Sequence, residues 1–95
     1  MPKYVIERTV PGAGQMDTAA LAAIAAKSNK VLRDLGPDVQ WVHSYVSDDK
    51  ITCVYLAANE DMIREHGRCG GFPVDTVLQV RAVIDPATAE TATIR

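Results

Sequence analysis

Two histidines and two cysteines are the side chains of this 95-residue sequence best suited to metal or nucleophilic chemistry. His43 lies in WVHSYV, Cys53 in ITCVYL, and His66 and Cys69 in REHGRCGGFP. On a helix, His-x-x-Cys sets an imidazole and a thiol on neighbouring positions, which suits two ligands of one metal. Two ligands fall short of a structural zinc site, and the tight CxxC pairing is absent. A joint site at one cavity mouth would combine His43 with His66, helped by Glu7 and Cys69. Imidazole, carboxylate and water together suit nickel, copper or zinc, and added thiolate shifts the preference toward zinc or copper(I). Each residue also has a plain structural reading. His43 reads as a half-buried sheet residue, His66 as a satisfied core histidine, Cys53 as a small buried hydrophobe, and Glu7 as an exposed strand charge.

A metal-free alternative uses the same region. Trp41, Tyr45, Cys53 and Tyr55 around His43 would form a mostly apolar cavity with few polar groups, suited to a small molecule or to proton transfer on a carbonyl compound. No Ser-His-Asp or Cys-His-Asn trio is legible, and nothing marks an oxyanion hole. Whether the protein is an enzyme is left open by these residues.

The elements that must position these side chains follow from periodicity. KYVIERTV, ending at Pro11-Gly12, reads as a strand and turn. PGAGQ matches neither phosphate-binding fingerprint and reads as a plain turn. Asp17 or Thr18 caps a helix in which Leu21, Ile24, Ser28, Leu32 and Leu35 recur at helical spacing, and Gly36-Pro37 stops it. VQWVHSYVS and KITCVYLA read as a hairpin around Ser47–Lys50. Asn59 caps a second helix carrying Met62, Ile63 and His66 on one face, and Gly67, Gly70 and Gly71 weaken and end it. FPVDTVLQVRAVID reads as a long last strand, and PATAETATIR as a polar tail that frays. The order β-α-β-β-α-β predicts an α+β, ferredoxin-like sandwich over residues 1–86, with residues 87–95 as tail.

Both helices then cover one sheet face. A three-residue hairpin loop would set Cys53 and Tyr55 beside Tyr45 and His43 on the open face, with Val42, Val46, Val54 and Leu56 toward the helices. A two-residue loop would swap in Thr52 and Val54. The first register is expected here, and an open face so rich in aromatics predicts a homodimer, a dimeric α+β barrel with a cavity between the sheets.

Composition narrows the partners. Net charge is −2, with no basic run, so nucleic acid is not expected. No apolar run approaches the ~20 residues of a membrane helix. The N-terminal MPKYVIERTV lacks a signal-peptide core, and a cytoplasmic protein with reduced thiols is expected.

The run WVHSYVSDDKITCVYLA through NEDMIREHGRCGGFP resembles a family of small bacterial proteins catalogued as a domain of unknown function. That family includes a nickel-binding, nickel-responsive member with a ferredoxin-like fold. The carrying features are His43 with an aromatic two residues on, Cys53 in the next strand, and His66 followed by a glycine-rich turn and Pro73. The resemblance implies a dimer and nickel, or another divalent ion, bound through His43 and His66. This chain departs from the family pattern at Glu7 and Phe72, where the nickel-binding relatives have histidine.

Overall fold

The computed structural model describes residues 1–91 of the chain. β1 (Lys3–Thr9) leads through a 3-10 turn (Ala13–Gln15) into α1 (Thr18–Leu35); β2 (Val39–Val46) and β3 (Lys50–Ala57) form the hairpin; α2 (Glu60–Gly70) precedes β4 (Thr76–Gln79) and a single turn, α3 (Thr88–Thr91). The four strands form one antiparallel sheet in the order β2-β3-β1-β4. This is the expected split βαβ arrangement. Among the described residues, no helix is long and apolar enough to cross a membrane.

Local chemistry sets the helix ends. Asp17 Oδ1 accepts from the Ala20 N–H at 2.8 Å, and Asn59 Oδ1 accepts from the Met62 N–H at 3.0 Å, so each helix start has a donor satisfied. α1 stops at Gly36 (φ 88°) and α2 at Gly71 (φ 69°), a backbone region that costs glycine least. Gly67 lies inside α2, and Gly70 is its last residue. Their bare α-carbons admit the returning chain: a β-carbon on Gly67 would lie 2.7 Å from Val74 Cγ2, and one on Gly70 would fall within the Phe72 ring contact.

The hairpin register is not the expected one. Val46 pairs with Ile51, Tyr45 with Thr52 and His43 with Val54. A bulge at Val42 then restores the opposite phase, so Trp41 pairs with Tyr55. Residues directly opposite share a face. Tyr4, Ile6 and Arg8 of β1, Ile51, Cys53, Tyr55 and Ala57 of β3, and Trp41 and Ser44 of β2 therefore face the helices. The first seven of these are buried there. His43, Tyr45, Glu7, Thr52, Val54 and Leu56 face the other way. The expected inward set is thus corrected: Val54 and Leu56 turn outward, and Val42 and Val46 are exposed.

The last strand is also shorter than expected. β4 pairs with β1 from Glu7↔Thr76 to Tyr4↔Gln79, and the Val80 N–H still reaches Lys3 O at 2.8 Å. β1 begins at Lys3, so no ladder partner remains for Arg81–Asp85, and Val83 and Ile84 stay exposed. The last four residues of the tail, 92–95, lie outside the described residues.

Candidate functional site

The sheet divides the candidate residues into two groups. On the open face, the exposed His43 ring meets Tyr45 edge-on, with centroids 4.9 Å apart. Glu7 shares this face, in the row Tyr45–Thr52–Glu7–Thr76, while His43 heads the row His43–Val54–Val5–Leu78. Two strand spacings separate β2 from β1 and the two rows are offset by two residues, so Glu7 and His43 start about 12 Å apart.

His66 is on the other side of the sheet. It is 1% exposed, enclosed under α1 with its Nε2 3.1 Å from Ser28 Oγ, its ring 5.3 Å from Tyr55 and stacked on Phe72 at 5.4 Å. Burial and the nearby Arg8 charge lower its pKa to about 4, against a smaller opposing pull from Ser28, so the ring is neutral at neutral pH. Its Nδ1 has no hydrogen-bond partner among the described residues. The structure therefore does not bring His43 and His66 to one mouth. It also sets a phenyl ring, Phe72, against His66, at a position where the resembled pattern has a second imidazole.

Cys69 parts from His66 despite the three-residue spacing. It is exposed beside Lys27, Lys30 and Asp34 of α1, and its thiol donates to Glu65 Oε1 at 3.2 Å. That hydrogen bond raises the Cys69 pKa and lowers that of Glu65, which also pairs with Arg68. Among the described residues, no three His, Cys, Asp or Glu side chains of the chain converge as a metal cage.

The aromatic lining expected between two sheets is found elsewhere. Trp41, Cys53 and Tyr55 line a cavity of about 160 Å³ between α1 and the sheet, together with Arg8, Ser28 and Phe72. Its nearest histidine is His66, through Tyr55 and Phe72, and Tyr45 and His43 are absent from it. Trp41 Nε1 donates to Ser44 Oγ at 2.9 Å.

Arg8 is the residue that sequence reasoning missed. It is 4% exposed. Its Nε donates to Cys53 Sγ at 3.4 Å, Nη1 to Pro73 O at 2.5 Å and Nη2 to Tyr55 Oη at 3.4 Å, and the guanidinium lies 5.6 Å from the Phe72 centroid. Burial, chiefly, pushes the Tyr55 phenol up, so all three partners present as neutral groups or a weak acceptor. The available signal was parity: Tyr4, Ile6 and Arg8 alternate on one side of β1.

Residues 4–80 match the model of the family described as "Nickel responsive protein SCO4226-like". Among solved structures, the chain is similar to the crystal structure of SCO4226 from Streptomyces coelicolor A3(2), with a TM-score of 0.70 and 15% identity over 86% of this chain and 99% of that one. At that identity the likeness speaks for the fold. No curated protein matches the chain.

Proposed function

Because the chain belongs to the SCO4226-like family, described as nickel-responsive, we propose that it binds a divalent transition metal, nickel foremost, with His43 as its imidazole ligand. The observation that carries this reading is that His43 and Glu7 share the sheet face left uncovered by the helices, whereas His66 is enclosed on the other side. An accessible imidazole with a carboxylate is a donor set suited to nickel, copper or zinc. Among the described residues, one protomer does not supply enough ligands at one point. A second copy packed face to face would present each of them twice, as two-fold symmetry requires. The same packing would cover Tyr45, Leu78 and Val42, which are 62%, 54% and 47% exposed. Both cysteines are free, which suits a reducing, cytoplasmic setting.

Isothermal titration with Ni²⁺, Zn²⁺ and Cu²⁺ tests the reading. Binding well below millimolar Kd is expected, weakened at least tenfold by His43→Ala and left within about twofold by His66→Gln. Affinity should fall in acid, because an imidazole binds metal only as the neutral ring. Binding no tighter than millimolar, or binding indifferent to His43→Ala, would remove the proposal.

A further inference from the structure

We propose that the cavity between α1 and the sheet binds a small monocarboxylate, its anionic end on the Arg8 guanidinium and its apolar body against Trp41 and Ile24. The site lies across the sheet from His43 and needs no metal.

A buried cation is normally paired with an anion, because desolvating it alone is costly. Arg8 is 4% exposed, yet among the described residues no carboxylate comes within 4 Å of it. The acid nearest in register, Asp75, accepts from the Thr9 N–H at 2.5 Å, and Arg8 is only the smallest of the influences that hold its pKa low. The three bonds Arg8 makes use one N–H on each nitrogen. A guanidinium carries five, so one on each terminal nitrogen is left to donate to an anionic acceptor.

The surroundings define the rest of the ligand. The cavity wall is otherwise mostly apolar, with Ile24, Trp41, Ile51 and Phe72 among its residues. Its ~160 Å³ is close to an engineered apolar cavity that holds benzene. A single ring or a chain of about six carbons is therefore the right size. Ser44, which lines the cavity, accepts from Trp41 at its Oγ, which leaves its own hydroxyl hydrogen to donate. Among the described residues lining this space Arg8 is the one cation; Lys27 does not line it, lying 5.4 Å from the centroid of the Phe72 ring, and neutral His66 adds no charge. One cation in apolar surroundings selects a monoanion over a phosphate dianion, and it repels an amine.

Trp41 is the sole tryptophan, so its fluorescence reports occupancy. The wild-type chain is titrated with hexanoate, hexanamide and hexylamine in the presence of EDTA, which separates this site from any metal site. Hexanoate is expected to saturate with a Kd on the order of 0.1–1 mM, the range for about eight non-hydrogen atoms. Hexanamide should bind at least tenfold more weakly, and hexylamine should not bind. Arg8→Met should cost hexanoate about 30-fold or more and abolish its advantage over the amide. Equal affinity for acid and amide, no saturable change with hexanoate, or hexanoate binding that requires added nickel would each overturn the proposal. So would a folded Arg8→Met protein that still prefers the acid. If that variant does not fold, the wild-type comparison of acid with amide decides alone.

Discussion

Acid should destabilise this protein through one residue, His66. Its pKa is near 6.5 in an unfolded chain and about 4 in the fold. Between those values the unfolded state binds the extra proton, so stability rises with pH through this window and is lost as pH falls from about 6.5 toward 4. The ring is enclosed by Ser28, Tyr55 and Phe72, with the Arg8 cation close by, and the hydrogen bond with Ser28 offsets only a small part of the cost of an imidazolium there. The full shift corresponds to about 2.5 kcal/mol lost between pH 7.5 and pH 4.5, and relaxation of the surroundings around a protonated ring lowers this to about 2 kcal/mol. For a domain of this size that is a fall of roughly 8–16 °C in Tm. The assay is urea denaturation of wild type and His66→Gln at half-unit steps over that range. The variant should be less stable at pH 7.5, having lost the ring packing, but its profile should be nearly flat down to pH 5. Carboxylates held low, such as Asp75, act at lower pH and in both proteins. Parallel profiles for the two proteins would refute the reasoning, because the wild-type slope would then come from some other group.

Two further expectations are more direct. Gly67→Ala should destabilise the protein by about 1–3 kcal/mol, since the new methyl would overlap Val74 Cγ2 and crowd Phe72 O; helix propensity alone predicts a gain of about 1 kcal/mol, so the sign of the change in urea midpoint decides. Leu78→Lys, placed in the central row of the open face, should shift a micromolar sample from dimer to monomer mass in light scattering without lowering the Tm of the monomer; a wild-type monomer at that concentration would remove the open-face interface.

The sequence by itself determined the elements and their order. Strand alternation in KYVIERT, the Asp17 and Asn59 caps, and the glycines at 36 and 71 act within a few residues, so their geometry is local and readable. Tertiary structure decided which side each strand residue faces. The strand period is two, so one residue of loop or bulge inverts it, and both parities here carry apolar side chains: Cys53 and Tyr55 on one, Val54 and Leu56 on the other. With no apolar contrast to choose between them, the phase waits on how β3 pairs with β1 and on the bulge at Val42, which separates Trp41 from His43. The same holds for His66, legible as a core histidine, and for its separation from His43 by the whole sheet. Arg8 is the clearest case. A strand arginine reads as solvent-facing, and its burial depends on Cys53, Tyr55 and Pro73, which lie 45, 47 and 65 residues away and meet it only when the sheet and the turn after α2 close.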